Sequence, residues 1–262
     1  MTIFIKEIKQ SFKALCIWGG AIAFMIMICV LIFPQMKDEM NGVSDMFANM
    51  GGFSQAFGMD KVSFGEIMGF YAIECGNILG IGGGFFAAFI GISVLAKEEK
   101  DHTAEFLLTH PISRFSVLCQ KLLSVFTQIT VMNVIIVIVS ILSFTAIGED
   151  LAIKEFILLH IAFSILQIEI AFVCFGISAF LRRGSIGVGL GFAAMLYFMN
   201  IIANISEKAD FLKYITPFAY AQASDIVADS KIDTVLLFIG IGAAILSLII
   251  GFWRYIKKDI AL

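Results

Sequence analysis

The chain has 262 residues, of which 60% are hydrophobic and only 15% are charged, whereas a soluble domain carries about 25% charged residues. The formal net charge of −3 comes without a basic tail or an aromatic-basic stripe, so nothing in the composition points to nucleic acid. Six long apolar stretches take up most of the length, which indicates one membrane domain and leaves no room for a folded soluble domain.

Each apolar stretch meets or approaches the roughly 20 residues that a helix needs to cross a bilayer. Such stretches must be helical, because backbone polar groups find no water partners in lipid. The predicted spans cover residues 15–33, 70–96, 124–146, 156–181, 186–205 and 235–256. The predicted fold class is therefore all-α, a polytopic membrane protein with six transmembrane helices in a single domain, 1–262.

Lys and Arg residues set the predicted orientation. Most of the 18 Lys and Arg residues lie in the N-terminal arm, the 97–121 connection, the turn after the fourth span and the C-terminal end. The positive-inside rule places these segments, and both termini, in the cytoplasm. Residues 34–69 and 206–234 then form external loops.

The N-terminal arm, residues 1–14, has apolar residues at helical spacing, with Phe4, Ile5, Ile8 and Phe12 on one side and lysines mostly on the other. This pattern predicts an amphipathic helix that lies along the cytoplasmic surface of the membrane. An ordinary charged lead-in to the first span is the alternative.

Small residues mark the predicted contacts between helices. They recur every four residues in the second span and appear again in the fifth and sixth spans: Gly76, Gly80, Gly84, Ala88, Gly187, Gly191, Gly240 and Ala244. Small-residue stripes let helix backbones approach closely in a membrane, so we expect close packing at all of these positions.

Four polar residues inside the spans are candidates for a translocation route: Glu74, Asn77, Gln167 and Glu169. A charged side chain at the bilayer centre costs about 2.5–3.5 kcal/mol on insertion scales. Glu169 must therefore face a wet cavity, pair with a partner or carry a proton. The alternative for all four residues is hydrogen bonding between helices, which the sequence favours for Asn77 and Gln167.

The connection 97–121 is charged and too long for a simple turn. Its residues from Thr103 to Thr109 fit a short helix that Pro111 stops, and Ser113 is placed to cap the helix of the third span. A small cytoplasmic helix between two spans is a natural docking element for a soluble partner, and a solvated linker is the alternative.

This connection resembles the signature of type-2 ABC transporter permeases of the exporter class, roughly E-x-x-G-T-x-E-x-L-L-x-x-P-[IV]-S-R followed by a Lys. The residues that match and would couple to an ATPase are Glu99, Thr103, Glu105, Leu108, Pro111 and Arg114. His102 stands where the family has Gly. A second likeness, Pro217-Phe218-Ala219-Tyr220, follows the fifth span, so the resemblance extends over the whole chain.

The resemblance implies a function. Such permeases pair as dimers, with a second copy or a related chain, in a bacterial-type cytoplasmic membrane. Each half sits on a separate cytoplasmic ATPase subunit that binds ATP and Mg. The chain itself has no GxxxxGK[ST] motif and is therefore not expected to hydrolyse ATP. The resemblance leaves the cargo open.

Other function classes remain as alternatives. Glu74 and Glu169 suit an ion-coupled secondary transporter, although the sequence shows no convincing inverted repeat. A non-pumping immunity or sensor protein on the same scaffold is also open. An intramembrane enzyme is disfavoured, because the three His residues have no metal-ligand spacing.

Overall fold

The computed structural model describes residues 2–100, 112–181 and 185–258. Within these ranges the regular structure is helical and contains no strand. Six helices are long and apolar enough to cross a membrane, and we number them as spans in chain order: Thr2–Lys37, Ile67–Leu95, Arg114–Ile147, Ile153–Ser178, Ile186–Ile205 and Thr234–Lys257. The all-α, six-span prediction is confirmed.

The first span belongs to one continuous helix, Thr2–Ala48. The N-terminal arm is thus the first part of this helix and not a separate surface helix, because no Gly or Pro interrupts the chain between the arm and the span. The helix also continues past Pro34 into the region predicted as an external loop. Ile5 and Phe12 are exposed, while Ile3 and Glu7 are buried, so the apolar residues of the arm do not all face one environment.

The second span changes its helical pitch near one end. An α-helical turn at Ile67–Phe70 is followed by a π-helix at Tyr71–Cys75 and then by the α-helix Gly76–Lys100. Single π-helical turns inside α-helices are rare and are frequently found at functional sites. This one carries Glu74, one of the predicted route residues.

The second and fourth spans form the centre of the bundle. The second packs against the fourth and the fifth, the first packs against the third, and the sixth packs against the fourth. A Cβ atom added at Gly91 would lie 3.0 Å from Ala171 Cα and 3.0 Å from Cys174 Cβ. The backbones of the second and fourth spans therefore touch at Gly91, while Gly80 of the predicted stripe lies against the Phe163 side chain of the fourth span, 3.1 Å from an added Cβ.

In the fifth and sixth spans, close backbone contacts are made by glycines that the predicted stripes do not include. In the fifth span the close contact is made by Gly189, where an added Cβ would lie 2.9 Å from the Ala88 carbonyl oxygen. Gly187 and Gly191 have no atom of another helix within 4 Å, so the prediction of close packing there is wrong within one chain. The sixth span meets the fourth at Gly251, whose added Cβ would lie 2.7 Å from Gly176 Cα.

Three short helices cover one end of the bundle. The helix Gly52–Phe57 and the 3-10 helix Glu207–Tyr214 pack against the fifth span, and the helix Ala223–Asp229 packs against the fourth. An ion pair of 2.7 Å between Lys61 Nζ and Asp225 Oδ1 joins the two loops. Both loops predicted to be external thus contain helices that rest on the spans.

Candidate functional site

The predicted coupling residues are only partly within the described structure. Thr103, Glu105, Leu108 and Pro111 lie outside the described residues. Glu99 lies in the last turn of the helix Gly76–Lys100. Of the six, Arg114 is the one whose side-chain contacts the structure describes.

Arg114 begins the helix of the third span, and the preceding Ser113 is its N-cap, accepting a hydrogen bond of 3.2 Å from the Ser116 backbone N–H. The predicted cap is therefore confirmed. A serine in this position satisfies one of the N–H groups that a helix start leaves without an intrahelical partner. The cap fixes the point where the connection turns into the third span.

The Arg114 guanidinium closes the end of the sixth span. Its Nη1 atom donates to the carbonyl oxygens of Tyr255 at 3.3 Å, Ile256 at 3.1 Å and Lys258 at 2.7 Å. Lys258 Nζ in turn donates to the Leu181 carbonyl oxygen at 3.0 Å. Carbonyls at a helix end need such donors, so these two cations connect the third, fourth and sixth spans beside the connection.

A buried ion pair holds the other side of the same region. Lys121 Nζ donates to Glu7 Oε1 at 2.8 Å and to the Val94 carbonyl oxygen at 2.7 Å. The Lys121 side chain is 0% exposed and the Glu7 side chain is 4% exposed. We call Glu7, Val94 and Lys121 the lysine junction, because they connect the first, second and third spans.

Sequence reasoning missed the lysine junction, since it counted Lys121 as a loop residue. The helix of the third span begins at Arg114, ten residues before the apolar stretch. From the Ser113 cap, Lys121 falls at helical spacing on the buried stripe that also holds Val117, Leu118 and Val125. That spacing is the signal that would have placed it inside the bundle.

Glu74 and Asn77 line two different spaces. Glu74 is half-buried and borders a cleft of about 390 Å³ against the first span, with Ile28 and Ile32 on the opposite wall. Asn77 borders a cavity of about 30 Å³ beside the fifth span, and its Oδ1 accepts a hydrogen bond of 3.2 Å from the Tyr197 hydroxyl. The smaller space is large enough for about one water molecule.

Gln167 connects helices. Its Oε1 accepts a hydrogen bond of 2.7 Å from Asn133 Nδ2 of the third span, and its Nε2 donates to the Leu79 carbonyl oxygen of the second span at 3.5 Å. The Gln167 side chain is fully buried. These contacts favour the structural interpretation of Gln167 over a role in a route.

Glu169 faces the sixth span. Its carboxylate lies against Gly240, where an added Cβ would be 2.9 Å from the Glu169 Cδ atom. The Tyr220 hydroxyl interacts with this carboxylate, yet neither side chain has a hydrogen bond of good geometry. Glu169 is the strongest candidate for function among the four, and the four do not converge on one route within a single chain.

A second buried network escaped prediction. The Tyr71 hydroxyl, in the π-helix of the second span, lies 2.8 Å from Ser140 Oγ of the third span and 3.0 Å from His160 Nε2 of the fourth. Across the described ranges no group of three or more His, Cys, Asp or Glu residues is arranged to hold a metal ion.

The comparison with protein families agrees with this arrangement of six helices. The profile described as ABC-2 family transporter protein matches residues 1–260. The chain belongs to this family. It is therefore a multi-pass membrane protein and a permease component of an ABC transporter. No curated protein matches the chain.

In this ABC-2 permease, hydrogen bonds hold both ends of the connection that resembles the family signature. The lysine junction fixes the end of the second span and the first turns of the third. Arg114 fixes the start of the third span to the end of the sixth. Hydrogen bonds from Arg114 and Lys121 of the third span therefore reach three other spans, the first, the second and the sixth.

Proposed function

We propose that this ABC-2 permease is the membrane subunit of an exporter in a bacterial-type plasma membrane, driven by a separate cytoplasmic ATPase that binds ATP and Mg. The observation that carries the proposal is the lysine junction, with Lys121 held between Glu7 and the Val94 carbonyl at 2.8 Å and 2.7 Å. The ATPase would dock on the predicted coupling helix, residues 103–109, which lies in the chain between Val94 and Arg114.

The mechanism follows from how force on the connection reaches the spans. A coupling element must make different contacts in the two states of the motor, or ATP shifts nothing. A displacement of the coupling element, residues 103–109, would act on Val94 and Lys121 together, and through Glu7 on the first span. Through Arg114 it would also act on the end of the sixth span, so the bundle would move as connected helices.

A second permease copy or a related chain would complete the route. Within one chain Glu74 faces a cleft on the first span, and Gly20 and Gly191 have nothing within 4 Å. Helix faces with small residues suit close approach of another helix in a membrane. The partner permease would therefore pack on the open faces of the first and fifth spans that carry Gly20 and Gly191.

Charge reversal at Glu105, or removal of Pro111, tests the docking segment. Glu105→Lys and Pro111→Ala are each expected to abolish stimulation of the partner ATPase and transport, because the first reverses a charge in the segment proposed to dock and the second removes the residue predicted to stop its helix. Both proteins should still insert and unfold as the wild type does. ATPase stimulation and vesicle transport, measured on the same preparation, check this.

The matched control is Glu207→Lys. It makes the same charge reversal on an exposed residue of the loop 206–234, which is predicted to be external. It is expected to leave stimulation unchanged. Full transport by both Glu105→Lys and Pro111→Ala would overturn the assignment of residues 103–109 as the coupling element.

A second function is favoured by one observation. The Glu169 carboxylate is buried with no well-formed hydrogen bond among the described residues, and an intramembrane acid of this kind is typical of proton or ion pathways. Ion-coupled transport without an ATPase is therefore the alternative function. In that case Glu169 would bind and release the coupling proton between the fourth and sixth spans.

Glu169→Gln separates these two functions, since it keeps the shape of the side chain and removes its titration. An ion-coupled transporter is expected to lose transport driven by an imposed proton gradient, by about 100-fold or more, the scale of losing an acid–base group. An ATP-driven permease in which Glu169 is structural should retain both transport and its pH dependence. Transport assays at several pH values, with and without ATP, give the answer.

A further inference from the structure

The cleft that contains Glu74 lies between the first span, the second span and residues 53–64. Its volume is about 390 Å³, within the range of sites for small organic ligands, about 300–1,000 Å³. Apart from Glu74, the side chains that line it are apolar or weakly polar: Ile28, Cys29, Ile32, Met36, Phe53, Met59, Phe64 and Phe70. One acidic side chain therefore stands in a cleft of ligand size that is otherwise apolar.

The Glu74 carboxylate is open to a ligand. Glu74 is half-buried, and among the residues that the structure describes no hydrogen bond or ion pair engages its carboxylate. Both of its oxygens reach the surface of the cleft, whereas both oxygens of Glu169 are buried. A charged carboxylate in apolar surroundings is costly unless a partner compensates it, so the partner of Glu74 must come from outside the described chain.

The helix geometry directs Glu74 to this cleft. Glu74 lies in the π-helix Tyr71–Cys75, and the other four residues of that turn are buried. A π-helical turn is rare and is frequently found at a functional site. The turn thus keeps its apolar residues in the bundle and leaves its one acid at the cleft.

Three aromatic rings share the cleft with the carboxylate. Phe64 and Phe70 are buried, and Phe53, on the helix Gly52–Phe57, is half exposed. The face of an aromatic ring attracts a cation, and rings of this kind recognise quaternary ammonium groups. Thioether side chains such as those of Met36 and Met59 adapt to apolar ligands of different shape. The lining therefore combines a negative charge with surfaces that suit a cation with an apolar body.

We propose that this cleft binds a monovalent organic cation, an ammonium group that carries apolar substituents, with its charge on Glu74 and its apolar part against the phenylalanine rings. Charge complementarity selects the occupant, because an uncharged molecule would leave the carboxylate without a partner. Binding requires neither the ATPase nor export, so it holds or fails independently of the proposed function.

A bilayer lipid fits the cleft less well than a free cation. No Lys or Arg is among the residues that line the cleft, so the phosphate of a zwitterionic lipid would have no partner of opposite charge there. The phosphate would instead be repelled by Glu74, and the repulsion of like charges is stronger in apolar surroundings than in water. The ligand is therefore a net cation and not a zwitterion.

The experiment uses two photoactivatable probes, an alkyl trimethylammonium and its uncharged tert-butyl analogue, added to the purified permease in phosphatidylglycerol nanodiscs. The two probes have the same shape and differ in charge. Labelling of the cleft residues is measured by peptide mass spectrometry, relative to labelling of the exposed side of the sixth span. We expect this relative labelling to be about tenfold higher for the cation, a ratio that corresponds to about 1.4 kcal/mol.

Three variants assign the preference to the cleft. Glu74→Gln keeps the shape of the side chain and is expected to remove the preference for the cation while labelling by the uncharged probe continues. Phe53→Leu should lower the preference by about threefold, since it removes one exposed ring. Glu66→Gln is the matched control, because it removes the same charge from an exposed residue just before the same span, and it should change nothing.

Equal relative labelling by the two probes in the wild type would overturn the proposal, and so would a preference that survives in Glu74→Gln. Phosphatidylcholine nanodiscs add a lipid that itself carries a trimethylammonium group. Loss of the preference in these nanodiscs would identify a lipid headgroup as the occupant and contradict the proposal. Retention of the preference in both kinds of nanodisc supports a free organic cation.

Discussion

Lys121→Met is expected to lower the free energy of unfolding by about 3–5 kcal/mol, the usual cost of breaking a buried ion pair by removing one partner. The ammonium group holds the Glu7 carboxylate at 2.8 Å and the Val94 carbonyl at 2.7 Å in the interior of the bundle. Met keeps most of the volume of the side chain, so the loss reports the charge and its hydrogen bonds. Unfolding of the purified protein in detergent measures it.

The matched control is Lys61→Met. Lys61 pairs with Asp225 at 2.7 Å, but both side chains are 46% exposed, and exposed ion pairs contribute about 0–1 kcal/mol. The double variant Glu7→Leu with Lys121→Met should recover much of the loss, because replacing a buried pair by apolar residues is often neutral. Equal stability of Lys61→Met and Lys121→Met would contradict the assignment of the lysine junction.

Gly91→Leu is expected to destabilise the bundle by about 3 kcal/mol or more, at the upper end for overpacked cores. The obstacle at this position is backbone, since even a Cβ atom would lie 3.0 Å from Ala171 Cα. The second and fourth spans would have to separate, and the fourth also carries the contacts to the sixth. Thermal unfolding and the yield of folded protein after purification both report the loss.

Gly242→Leu is the control for this second variant, because it adds the same side chain to a helix where nothing lies within 4 Å. It should leave stability unchanged or raise it by up to about 1 kcal/mol, since Gly is a poor helix former. If Gly91→Leu and Gly242→Leu behaved alike, the close approach of the second and fourth spans would be wrong.

The fold was predictable because hydropathy alone identifies helices in a membrane protein. The number and order of the six apolar helices are confirmed. The helix that contains the third predicted span begins at Arg114, ten residues before that span, since a helix continues beyond the hydrocarbon when its polar residues find partners. Arg114 has its hydrogen-bond partners on the sixth span, and Lys121 has its partners on the first and second spans. No local sequence pattern predicts these partners.

The candidate site was less predictable, because the contacts that join its helices are made between residues distant in sequence. Gln167 and Glu169 appear together in the middle of one span, yet two residues along a helix turn by about 200°. Gln167 therefore meets Asn133 of the third span, while Glu169 meets Gly240 of the sixth. A single sequence shows which helix faces carry small or polar residues, but it does not show which faces pack against each other.

The central claim, coupling to a separate ATPase, is tested most directly by purifying the tagged permease from native membranes in mild detergent and identifying the bound proteins by mass spectrometry. The account predicts an ATPase with a P-loop in a stoichiometric complex, and its loss from the Glu105→Lys variant at equal permease yield. A permease recovered without any such ATPase, under conditions in which a known ABC transporter stays assembled, would contradict the account and leave ion-coupled transport through Glu169 as the function to test.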